Sequence, residues 1–113
     1  MTIIRDTISR TELQSMAEGM FGNLVKAVVD VKRSIMAVDG ELHSDEEALL
    51  LEDGSEQADL WGINIYPAIT DENWIEFDSL INIRPSHGNR SRGVENPETR
   101  RAVADIVSRL VEK

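Results

Sequence analysis

Two apolar periods alternate along the chain, and the points where one replaces the other divide it into elements. Leu13, Met16, Ala17 and Met20 recur at helical spacing, giving one apolar stripe. Ser9 and Glu12 stand before them as an S-x-x-E capping box, with Ile8 and Leu13 at the staple positions. Gly22 predicts the helix stop. Ahead of this helix, the short β-branched stretch Thr2 to Arg5 predicts a first strand. From Leu24 the period becomes two. Val25, Ala27, Val29 and Val31 alternate with Lys26, Asp30 and Lys32, and only Val28 breaks the polar set. Arg33-Ser34 predicts a turn into Ile35 to Val38, and Asp39-Gly40 a second turn or a bulge.

Between Ser44 and Glu52 the pattern supports two readings. Ser44 and Glu47 form a second capping box for a short helix over Ala48 to Leu51. The alternative is a strand from Glu47 to Glu52, closed by Asp53-Gly54, and its shortness favours the strand. Leu60 to Tyr66 alternates again until Pro67 ends it, and Asn73 to Ile83 repeats the alternation at greater length. Arg84 to Glu95 has no period. Asn96-Pro97 then opens a last helix with the stripe Val103, Ile106, Val107 and Leu110. The expected fold is α+β and one domain over residues 1–113. It comprises a mostly antiparallel sheet of about five to six strands with an N-terminal and a C-terminal amphipathic helix on one face. The other face is expected to stay partly open.

Charge sharpens this picture. The 113 residues carry a formal charge of −9, but unevenly. From Ser34 to Ile83 there are 13 of the 21 acids and none of the 12 lysines and arginines. An acidic middle therefore lies between two mildly basic ends. The mean field argues against non-specific binding to nucleic acid or anionic lipid. No cysteine is present, which excludes disulfides, thiolate metal sites and thiol nucleophiles. The N-terminus lacks the apolar core of a signal peptide, and no apolar run exceeds four residues, so a cytoplasmic location is expected.

Several segments resemble a known family. They are Glu41 to Glu47, Leu51 to Ser55, Asp59 to Asn64, Ile81 to Pro85 and Gly88 to Gly93. Together they resemble a family of short prokaryotic proteins catalogued as a domain of unknown function. The resemblance spans nearly the whole chain and implies a free-standing small protein. It implies no activity, ligand or catalytic residue.

The strongest candidate chemistry is the loop from Arg84 to Gly93. No acid occurs from Ser79 to Val94, while Arg84, His87, Gly88, Asn89, Arg90, Arg92 and Gly93 crowd together. Glycines let backbone N–H groups approach an anion, and arginine forks match carboxylate or phosphate. These seven residues are the expected anion site, although the spacing is not that of a nucleotide-binding P-loop. The competing reading is internal, with the arginines paired to Glu76, Asp78, Glu52 or Asp53. A second candidate lies on the open sheet face, where Asn64, Glu76, Asp78 and Asn82 would gather, joined by Asp30 if its strand is adjacent. Oxygen clusters of this kind suit Mg²⁺ or Ca²⁺, and paired carboxylates suit acid–base work. Trp74, Leu80, Leu60 and Tyr66 on the same face favour a homodimer or partner interface over a metal. His43 with Asp45, Glu46 and Glu47 offers a transition-metal set too poor in nitrogen for a closed zinc site.

These features point to a binding module, without cofactor or resident metal, for an acidic or phosphorylated ligand or partner. A small acid–base or metal-dependent enzyme on the open face is the first alternative. A regulatory protein whose acidic middle covers a basic surface is the second.

Overall fold

The computed structural model describes residues 1–112. A five-stranded antiparallel sheet is built from β1 (Thr2–Ile4), β3 (Val25–Asp30), β4 (Ile35–Val38), β5 (Leu60–Ile65) and β6 (Ile75–Glu76), in the order β1-β4-β3-β5-β6. The short strands β2 (Ile8–Ser9) and β7 (Val111–Glu112) pair in parallel beside it. Three α-helices are present among the described residues: α1 (Arg10–Glu18), α2 (His43–Glu52) and α3 (Pro97–Leu110). The expected α+β class and antiparallel sheet are present. The count of two helices is corrected to three.

Local signals explain the helix starts. Ser9 Oγ accepts the Glu12 N–H at 3.0 Å, and Asn96 Oδ1 accepts the Glu98 N–H at 2.8 Å with Pro97 at the first helical position. Leu13 and Ala17 of α1 and Val103, Ile106, Val107 and Leu110 of α3 are buried on one sheet face. They meet Val25, Ala27 and Val29 of β3, Met36 and Val38 of β4, and Trp61, Ile63 and Ile65 of β5. Helix α1 ends at Glu18, earlier than Gly22 suggests, so Met20 falls outside the stripe and is exposed. Gly22 still closes the segment, donating its N–H to the Ala17 carbonyl at 2.6 Å.

The segment favoured as a strand, Glu47 to Glu52, is helical, and this removes the open face. Helix α2 covers the second side of the sheet, where Leu50 packs with Val28, Ile35, Ala37 and Leu60. Val28, which broke the alternation of β3, is the residue that meets this layer. The stripe that α2 turns inward is His43, Glu46 and Leu50. Two of its three members are polar, so no apolar helical period marks it.

The long strand expected from Asn73 to Ile83 is also corrected. Only Ile75 and Glu76 pair with β5, opposite Ile65 and Asn64. Past them the chain folds over the α2 side of the sheet and makes a 3₁₀ turn at Leu80–Asn82. Ser79 Oγ caps that turn by accepting the Ile81 N–H. The crossing is close. A Cβ on Gly62 would stand 2.5 Å from both Cβ and Oγ of Ser79. Gly62→Ala is therefore expected to destabilise the fold by about 2–3 kcal/mol. The reading is a lower urea midpoint with little change in slope. An unchanged midpoint would refute this packing of the turn on β5.

Candidate functional site

The turn at Leu80–Asn82 and the start of α2 enclose a cleft of about 210 Å³, lined by Lys26, Leu42, His43, Ser44, Ser79, Leu80, Ile81 and Arg92. Each element contributes for a local reason. Lys26 projects from β3 on the face covered by α2, directly opposite Asn64 of β5 in the sheet register. The aliphatic stem of such a lysine can lie along apolar surface while its ammonium stays wet. Here the ammonium stands 5.1 Å from the centre of the Phe21 ring. It forms no ion pair among the described residues.

His43 opens α2 and is only 9% exposed. Its Nε2 lies 2.7 Å from the Ile63 carbonyl oxygen. A carbonyl oxygen only accepts, so Nε2 carries the proton. In the neutral ring Nδ1 then keeps a lone pair; no protein group among the described residues takes it, and it is not among the buried unsatisfied atoms, so water reaches it. Burial lowers the pKa of this imidazole, outweighing the Ile63 bond, which raises it. Lys26 and Arg92 lower it further, and Asp78 opposes them. The helix itself begins without a side-chain cap, since the residue before it is Leu42. The first N–H groups of α2 thus find no side-chain acceptor at the cleft wall.

Arg92 is the member of the basic loop that lines the cleft. Its Nε donates to Asp78 Oδ1 at 2.5 Å, so it arrives with its charge largely matched. The other loop residues have different surroundings. Arg84 lies over the Trp61 ring at 4.6 Å and donates to the carbonyls of Ile81 (3.1 Å), Gln57 (2.6 Å) and Leu60. Asn89 is buried. Its amide donates to the carbonyls of Asn82, Ser91 and Gly93, and its Oδ1 accepts the Glu95 N–H. The backbone N–H groups of Arg90 and Ser91 converge on an anion, but it is the chain's own Glu95 carboxylate, at 2.6 and 2.8 Å. Those two bonds hold the Glu95 carboxyl below its usual pKa. Gly93 is partly buried, while His87, Gly88 and the Arg90 side chain are exposed.

The four residues expected together on the open face are only partly joined. Asn64 Nδ2 donates to Glu76 Oε1 at 2.8 Å, and Tyr66 donates to the same oxygen at 3.1 Å. Asp78 is engaged by Arg92, while Asn82 is fully buried against Gly62. Asp30 is buried as well, accepting the N–H groups of Lys32 and Arg33 and the Ser55 hydroxyl. Trp74 belongs to the core shared with α1 and α3, not to a face with Leu80. No group of three or more His, Cys, Asp or Glu side chains is arranged to hold a metal among the described residues.

Sequence reasoning missed Lys26 and Ser44 as site residues and read His43 only as a possible metal ligand. One signal was available: Lys26 precedes Val28 by two positions, and so shares its face.

No helix among the described residues is long and apolar enough to cross a membrane. Residues 2–110 match the profile of DUF5674, described as a protein of unknown function, and the chain belongs to that family. No curated protein and no solved structure matches it.

Proposed function

We propose that the chain is a binding module that holds a small anionic group, a carboxylate or a phosphate, in the cleft at the start of α2. The carrying observation is His43, nine-tenths buried, fixed through Nε2 and left without a partner at Nδ1. Beside it stand an unpaired lysine and an uncapped helix N-terminus. A helix start and a nearby ammonium both favour negative charge, and each gains strength where water is partly excluded. The basic loop serves this reading through Arg92, while Asn89, Asn82 and Glu95 hold the loop in shape.

Protonation of His43 would add a donor at Nδ1 without disturbing the Ile63 bond. A bound anion favours that imidazolium, so binding takes up a proton and strengthens as pH falls, from a free ring that burial holds below the ordinary histidine range. The test is a titration of labelled protein with acetate and with phosphate at low salt, followed by NMR. Saturable shifts should centre on His43, Ser44 and Lys26, and affinity should rise as pH is lowered from about 7.5. Lys26→Gln should weaken binding by roughly tenfold. Equal affinity in that variant, or shifts confined to Gly88, Arg90 and Gly93, would overturn the assignment to this cleft.

A further inference from the structure

The cleft is not uniformly polar. Leu42, Leu80 and Ile81 line it beside the charged groups, and Leu80 and Leu42 are 66% and 53% exposed. Seven large apolar side chains are prominently exposed: Met1, Met20, Phe21, Leu42, Leu51, Leu80 and Ile83. Four of these gather around Lys26. Leu42 and Leu80 share its cleft, and Met20 and Phe21 share with it the adjoining groove towards Gly40. Two exposed leucines at the mouth of one polar cleft, with Ile81 beside them, give it an apolar wall that a ligand can cover.

The charge count restricts the head group. With His43 neutral, Lys26 supplies the one unmatched positive charge, because Asp78 already neutralises Arg92 at 2.5 Å. A single charge and a helix end suit a monoanion, whereas a phosphate dianion would also face the Asp78 carboxylate. The volume of about 210 Å³ holds on the order of ten non-hydrogen atoms at protein packing density.

We infer that the site takes a monocarboxylate carried on a short apolar body, the carboxylate at Lys26 and the start of α2, the body against Leu42, Leu80 and Ile81. This inference rests on the anion-binding reading above and narrows it to one ligand class. The same chemistry occurs in a free short-chain acid and in a polypeptide C-terminus with an apolar last residue.

The experiment compares acetate, butanoate, hexanoate, hexanamide, N-acetyl-leucine and inorganic phosphate by NMR titration of the full chain. Affinity should rise roughly two- to fourfold per added methylene, so that hexanoate exceeds acetate by tenfold or more. Hexanamide, which lacks the charge, should bind at least tenfold more weakly than hexanoate. Leu80→Ala, at an exposed position, should lower hexanoate affinity several-fold more than it lowers acetate affinity. Tighter binding of N-acetyl-leucine than of hexanoate would assign the C-terminus as source, and the reverse order a free acid. If acetate, hexanoate and phosphate bind alike, the apolar preference is wrong while the anion site stands. If none of them shifts the cleft, both readings fall.

Discussion

Replacing Glu46 by glutamine will make the protein more stable at neutral pH, by about 2 kcal/mol. Glu46 is fully buried on the inner stripe of α2. Its Oε2 accepts the Gly40 N–H at 2.9 Å, and its Oε1 has no partner. One hydrogen bond does not replace the hydration of a carboxylate, so burial pushes its pKa up to about 9. The Gly40 bond and, more weakly, Lys26 and the N-terminal amine pull it down, while Asp39 pushes it further up. At pH 7 the folded protein therefore holds a neutral carboxylic acid where the unfolded chain holds a carboxylate.

The sign follows from proton binding. Between the ordinary value of 4.5 and about 9 the folded state binds more protons at this site than the unfolded state. Stability falls as pH rises through that window. Protonating such a group at pH 7 costs about 3 kcal/mol, at about 1.4 kcal/mol per pH unit. Glutamine removes this cost and keeps an oxygen for the Gly40 N–H. Its NH₂ must occupy the unpartnered Oε1 position, which offsets about 1 kcal/mol. The measurement is urea unfolding of both proteins from pH 4 to 9. Glu46→Gln should be less stable by about 1 kcal/mol at pH 4, where only the NH₂ penalty remains, and gain steadily to a clear advantage at pH 8. A pH-independent difference would mean that Glu46 is ionised in the folded protein. The neutral state of Glu46 also bears on the cleft, since a protonated Glu46 leaves the charge of Lys26 available to a ligand.

The same residue shows why part of the fold was legible in the sequence and part was not. Helices α1 and α3 carry their caps and apolar stripes in the chain itself, at Ser9 and Asn96 and at Leu13, Ala17, Val103 and Val107. Helix α2 buries His43 and Glu46, so its inward stripe reads as polar, while exposed Leu51 extends an apolar run that imitates a strand. The error at Asn73 to Ile83 has another origin. Alternation there is real, but the steric space over Gly62 and the amide of Asn82 divert the chain after Glu76. Both are tertiary facts, absent from any local period. The cleft inherits that opacity. Lys26, His43 and Arg92 lie far apart in sequence and meet only because α2 and the diverted turn cover the same sheet face.

Asn82→Ala is expected to cost about 3–5 kcal/mol. Strand β6 pairs with β5 no further than Asn64, so Gly62 has no strand neighbour on that side. The Asn82 side chain takes the place of one. Its Oδ1 accepts the Gly62 N–H at 2.8 Å, and its Nδ2 donates to the Gly62 carbonyl at 3.0 Å and the Arg92 carbonyl at 2.9 Å. Alanine would leave the buried N–H and carbonyl of Gly62 without these partners, each costing about 1–3 kcal/mol before any water enters, while the part-buried Arg92 carbonyl keeps the Ser79 N–H. Asn82→Asp separates hydrogen bonding from shape. It keeps the acceptor for Gly62 but sets a carboxylate against two carbonyls, so its defect should ease on acidification as that carboxyl gains a proton. Because the Asn82 amide shares the Arg92 carbonyl with the Ser79 N–H, its loss loosens, without releasing, the backbone from which Arg92 reaches Asp78 and the cleft. Where Asn82→Ala remains folded, its carboxylate affinity should therefore fall together with its stability. Unchanged affinity in a destabilised variant would show that Arg92 needs no such anchor, and that Lys26, His43 and the start of α2 suffice to hold the ligand.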